Sequence, residues 1–138
     1  MSDRERLDSA VEPYQGTALL RLADGPLVGP VLCRVVSMVL ARANCPMDRL
    51  DDAMLICDAL SAHAPARADD GHVSFALSAQ SSSFELRVGD LPEQAATELV
   101  NAAVLPGVGN VLERMADSLR VEPAADGLRE ELVLELHF

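Results

Sequence analysis

Lysine and tryptophan do not occur in this chain of 138 residues. Aromatics of any kind are scarce, one Tyr and three Phe, which excludes stacking platforms for single-stranded nucleic acid and requires an aliphatic core. Positive charge is thin: all 11 basic residues are Arg, against 22 acidic ones, for a formal −11. Nucleic-acid binding displaces counterions with a basic stripe, and no such stripe can be drawn here. No apolar run reaches the ~18 residues of a membrane span. The nearest approach, Val31 to Ala43, is broken by Arg34, Ser37 and Arg42. The opening MSDRERLDSAVEP is charged where a secretory signal is apolar, which predicts a cytoplasmic protein. Cys33, Cys45 and Cys57 are too widely spaced for a CxxC site. We expect free thiols, with Cys33 and Cys57 packed as small apolar groups.

What is present is enough aliphatic surface for one core: 49% of residues are hydrophobic. Residues 1–15 are polar and read as a mobile tail; residues 16–138 read as one domain. GTALLRL (16–22) predicts a first strand. Val28, Val31, Leu32, Val35, Val36, Val39 and Leu40 recur at helical spacing between Pro26 and Ala43. Asn44-Cys45-Pro46 breaks that helix. Asp48, with Asp51 and Asp52 behind it, predicts the N-cap and first turn of a second helix ended by Pro65. Strict alternation then marks two antiparallel strands with one buried face: Val73, Phe75, Leu77 and Ala79, then Phe84, Leu86 and Val88. Pro92 to Ala103 predicts a modest helix. Leu105 to Gly109 reads as a loop, and Val108, Val111, Leu112, Met115 and Leu119 as the face of a last helix. Leu119 to Glu122, and Leu132, Leu134, Leu136 and Phe138, predict two closing strands. The order β, α, α, β, β, α, α, β, β implies an α+β two-layer sandwich, a mostly antiparallel sheet covered on one face by helices.

That order resembles the ATP-binding (Bergerat) fold of the GHKL superfamily, and within it the anti-sigma-factor serine kinases of bacterial partner-switching systems. Their second helix carries E-L-x-x-N-A-x-x-H, the following hairpin ends in D-x-G-x-G, and a lid precedes G-x-G at a helix start. Ile56-Cys57-Asp58-Ala59-Leu60-Ser61-Ala62 stands where the helical motif falls. Val88-Gly89-Asp90-Leu91-Pro92 stands at the hairpin motif, and Pro106-Gly107-Val108-Gly109-Asn110 at the second glycine motif. The resemblance implies Asp58 as the catalytic carboxylate, Asp90 as the adenine contact, and Gly107, Gly109 and Asn110 as remains of the nucleotide pocket. It departs from the family where chemistry is densest. Asp58 is one methylene shorter than the motif's Glu, which retracts a general base. Ala62 replaces the Asn that carries magnesium and has no oxygen to offer. Pro92 replaces a glycine and has no N–H.

Each of these residues also has a structural reading. Asp58 reads as a solvated carboxylate, Asp90 as a cap for the helix after Pro92, Gly107 and Gly109 as a turn, and Asn110 as a helix-start residue. His63, His72 and His137 have no spacing that suggests zinc, so no metal ligands are assigned. The expected function is a regulatory interaction protein resembling anti-sigma factors, with weak or lost ATP binding and no cofactor. The alternative is an active serine/threonine kinase that binds ATP and magnesium. Expected partners are a sigma factor or an anti-sigma antagonist, and a second copy of the chain, as in the family; nucleic acid and membrane are not expected.

Overall fold

The computed structural model describes residues 15–138; the expected N-terminal tail lies outside them except for Gln15. Strand β1 (Gly16–Ala23) leads into helices α1 (Val28–Arg42) and α2 (Met47–His63) and a short 3-10 turn, Pro65–Arg67. Strands β2 (His72–Gln80) and β3 (Ser83–Pro92) follow, then α3 (Ala95–Ala102). A two-residue hairpin, β4 (Val104–Leu105) and β5 (Gly109–Asn110), precedes α4 (Val111–Met115), β6 (Ser118–Pro123) and β7 (Arg129–His137). The main sheet has the order β1-β2-β3-β7-β6, and every neighbouring pair in it is antiparallel. The α+β sandwich is therefore observed, with the sheet antiparallel throughout. Among the described residues no helix is long and apolar enough to cross a membrane.

The core is aliphatic, as the composition requires. Val73, Phe75, Leu77, Phe84, Leu86, Val88, Leu132, Leu134 and Leu136 carpet one sheet face, and Leu32, Val36, Leu40, Ile56, Leu60 and Leu99 of the helices press down on it. Cys57 is buried among them, and Cys33 packs partly buried at the edge; all three cysteines are free.

Four local expectations need correction. Pro46, not Asp48, holds the N-cap position of α2, and Asp48 sits in its first turn. Pro92 ends β3, paired with Arg129, so α3 begins only at Ala95. The last helix spans five residues rather than running to Leu119, because Ser118 and Leu119 pair with Glu135 and Leu134 of β7. Its apolar spacing was partly the alternation of a strand. Finally, the carboxylate that serves α3 is Glu130, not Asp90: Glu130 accepts the backbone N–H groups of Gln94 (2.7 Å) and Ala96 (3.3 Å).

Glu130 is 8% exposed and is the one buried charged residue among the described residues. Its charge lies where orphan N–H groups and the helix dipole favour an anion. Gln94 in the α3 N-cap position has φ of 71°, a left-handed conformation that aims its N–H at that carboxylate. Removing the carboxylate strands buried donors. Glu130→Ala is expected to cost about 2 kcal/mol, read as a fall of the urea unfolding midpoint with an unchanged slope.

Candidate functional site

Helix α2 and the β4–β5 hairpin face each other across a cleft of about 230 Å³. Leu55, Asp58, Ala59, Ala62 and His63 line the helix side. Helical spacing explains this set: positions 55, 58, 59, 62 and 63 recur at three- and four-residue steps along one stripe of α2. The opposite wall is Ala103, Val104, Leu105 and Val111. Val104 stays 61% exposed and Leu105 42%, so the lip of the cleft is apolar and open.

The hairpin wall is held by its own backbone. Val108 N–H donates to the Leu105 carbonyl (3.0 Å) across Pro106-Gly107, with Gly107 at φ of 82°. Proline followed by a left-handed glycine is type II turn chemistry. Gly109 (φ of 93°) pairs with Leu105 in the two-stranded ladder. Both glycines thus shape a turn, and neither lines the cleft. Asn110 is committed twice: its Oδ1 accepts the Glu113 N–H (3.1 Å) as the cap of α4, and its Nδ2 donates to the Val100 carbonyl (2.7 Å) at the end of α3.

Asp58 is exposed at the rim of the cleft and accepts the Cys33 thiol at 3.7 Å, a long contact even for sulfur. Asp90 lies elsewhere, at the β3–β7 end of the sheet. The register between Val88 and Leu91 shifts there, and Asp90 sits in that bulge with φ of 57°. Asp tolerates the left-handed region better than most residues. Arg129 fixes it, donating from Nε to the Asp90 carboxylate (3.0 Å) and from Nη2 to its backbone carbonyl (2.5 Å). The same guanidinium grips Asp69 with two bonds of 2.6 and 2.8 Å. Asp58 is therefore brought together with Ala62 and the hairpin, while Asp90 is tied to Arg129 and Asp69 and does not line the cleft.

Sequence reasoning missed Arg129 and His63 as members of these two sites. His63 was detectable as the next residue along the Asp58–Ala59–Ala62 stripe. Arg129 was not, because its partners lie 39 and 60 positions away. Among the described residues no group of three or more His, Cys, Asp or Glu side chains is placed to hold a metal ion. The cleft wall carries no Arg. Its polar equipment is one carboxylate and one imidazole.

No protein-family model matches this chain, and no curated protein matches it.

Thiol chemistry at the α1–α2 seam is graded. A hydrogen bond from Cys57 holds the Cys33 thiol below its ordinary pKa, while the same contact and burial push Cys57 far up. Burial also raises Cys45. Iodoacetamide under native conditions is expected to label Cys33 first, Cys45 more slowly and Cys57 only on unfolding; peptide mass spectrometry of timed samples checks the order.

Arg129 also sets an acid limit. Its hydrogen bonds hold the Asp69 carboxyl below the usual carboxylate range. A depressed folded pKa contributes stability that is present above the unfolded value, about 3.9 for Asp, and is lost as pH falls through the folded one. The stability difference between wild type and Asp69→Asn is expected to be constant from pH 7 to pH 5 and to close below about pH 4. Urea midpoints measured across that range test it.

Proposed function

We propose that this protein is a cytoplasmic regulatory interaction protein on a GHKL-like frame. It resembles the anti-sigma factors of partner-switching systems, with nucleotide binding and kinase activity weak or lost. The observation that carries this reading is the chemistry of the cleft beside α2. ATP with magnesium needs an oxygen ligand for the metal and donors for three phosphates. The cleft offers the methyl groups of Ala59 and Ala62, the side chain of Leu55 and an apolar lip of Val104 and Leu105, with Asp58 and His63 as its polar groups and no Arg for the phosphates. The carboxylates the resemblance assigns to a nucleotide do not share that cleft, and Asp90 already has a cation. A phosphate chain would also enter the field of a protein carrying −11. Sequestering a sigma factor or an anti-sigma antagonist requires only a complementary surface, which an emptied nucleotide site leaves intact.

Thermal unfolding with and without Mg–ATP tests the reading. A ligand at 100 times its Kd adds about 2.7 kcal/mol to stability, several degrees in Tm for a domain of this size. No shift is expected at millimolar Mg–ATP. A clear upward shift overturns the proposal in favour of an active kinase. Recovery of a sigma factor or an antagonist from the source cell, equally well with and without nucleotide, is the expected positive result.

A further inference from the structure

The acidic side chains of this protein are unequally served by its arginines. On the open sheet face, which no helix covers, Arg87 and Arg120 bond Glu85, Glu122 and Glu135. Arg49 takes Asp52 and Asp117, and Arg129 takes Asp69 and Asp90. Asp48, Asp51 and Asp58 are exposed along α2 and have no cationic partner among the described residues. The contact of the Asp58 carboxylate is the neutral Cys33 thiol.

Helical geometry relates these carboxylates to the cleft. At 3.6 residues per turn, Leu55 and Ala62 lie on one line along α2. Asp51 and Asp58 fall on one flank of that line, and Ala59 and His63 on the other. Leu55 and Ala62 are seven residues apart, and so are Asp51 and Asp58, which is roughly 10 Å at 1.5 Å per residue. The far wall is the exposed pair Val104 and Leu105. At about 30 Å³ for a group the size of water, the 230 Å³ cleft takes the carbons of two branched aliphatic side chains. The wall is thus an apolar trough with two unpaired carboxylates on one bank. A purely apolar occupant would strip water from Asp58 and give nothing back. An acidic one would meet the field of a chain carrying −11. Charge complementarity selects an occupant that is aliphatic below and cationic at the side.

We propose that the cleft between α2 and the β4–β5 hairpin is the docking groove for a basic amphipathic helix of the partner protein. Two of its aliphatic side chains, one or two turns apart, enter between α2 and the Val104–Leu105 lip. An arginine or lysine beside them meets Asp58, and a second one, two turns on, reaches Asp51. Such helix-in-groove recognition uses anchors at i, i+4 and i+7, the same spacing that α2 presents. This inference rests on the partner-binding reading above and adds the chemistry of the partner and the place where it docks.

Nuclear magnetic resonance of the isotope-labelled chain tests it with a synthetic peptide. The probe is about 18 residues of alanine and arginine, long enough to turn helical, with leucines at i, i+4, i+7 and i+11. Saturable shifts are expected at the amides of Leu55, Ala59, Ala62, Val104 and Leu105. A peptide of identical composition with its leucines scattered around the helix is expected to bind at least about tenfold more weakly, although its charge is the same. Ala62→Arg is expected to weaken binding about tenfold or more, whereas Thr17→Arg, which adds the same charge on the open sheet face, changes it less than about twofold. Asp58→Arg provides a second variant: it is expected to lose this peptide and to bind the version with glutamate for arginine better than wild type does. The dispersion of each spectrum shows that the variant is folded. Equal binding of the scattered peptide overturns the proposal, as does equal weakening by Thr17→Arg. So does hexylamine moving the same amides as strongly at equal concentration, which marks a site for a small amine. Mg–ATP is titrated in parallel. If it moves the cleft amides and the peptide does not, the partner-binding reading falls together with the inference. If neither moves them, the inference alone falls.

Discussion

Two consecutive side chains at the start of β7 hold the crossover from β3 to α3. Arg129 grips the bulge at Asp90 from one side, and Glu130 grips the N-terminus of α3 from the other. Between them, the chain from Asp90 to Ala96 is tied at both ends, although it passes through two left-handed residues, Asp90 and Gln94. Such conformations cost on the order of 1 kcal/mol or more each and persist only where surrounding contacts impose them. Neighbours on a strand point to opposite faces, so adjacent residues can brace opposite sides of one crossover.

The position of the cleft follows from that brace. Once α3 is fixed at its N-terminus, its C-terminal carbonyls are fixed as well. Val100 accepts the Asn110 side-chain amide, and Ala103 accepts the Val111 N–H at 2.9 Å. These bonds seat the β4–β5 hairpin and start α4, and the hairpin supplies the outer wall opposite α2. Glu130 thus connects, through α3, to the hairpin wall of the cleft. The polar groups along this path are already satisfied by one another, and among the described residues no buried side-chain nitrogen or oxygen lacks a partner. What remains for an incoming molecule is apolar contact, Asp58 and His63.

The alternation of β2, β3 and β7 was legible because each strand keeps one face buried, so its period of two is written directly into the residues. The apolar stripes of α1 and α2 were legible for the same reason at a period near 3.6. The failures cluster where a local signal served two masters. Val108 to Leu119 satisfies helical spacing, yet Gly109 is drawn into a hairpin and Leu119 into a sheet by partners far along the chain. Pro92 looked like a helix start, but a proline tolerated at a strand end serves equally well. Glu130 left no trace in a single sequence, since a glutamate on the buried side of a strand looks like an error until its helix arrives. For the candidate site, the stripe carrying Asp58 and Ala62 was readable. The separation of Asp90 from it was not, because a bulge and a partner 39 residues on decide where that carboxylate points.

The absence of lysine bears on all of this. Apart from His137 beside Glu135, the ion pairs among the described residues are made by guanidinium groups, and Arg49, Arg87, Arg120 and Arg129 each serve several carboxylate oxygens or carbonyls at once. A planar fork with five donors can do this; an ammonium presents a single point charge. With 11 cations for 22 acids, sharing is the only way to serve many carboxylates. Exposed ion pairs taken singly contribute little, so the effect of sharing is chiefly geometric: it fixes which carboxylates are neutralised and where. Paired carboxylates stand on the open sheet face, at the Asp69–Asp90 clamp and at Arg49, which holds Asp52 and Asp117, while Asp48, Asp51, Asp58 and Glu113 stay exposed around α2 and α4. The distribution leaves the open sheet face nearly neutral on a chain of −11.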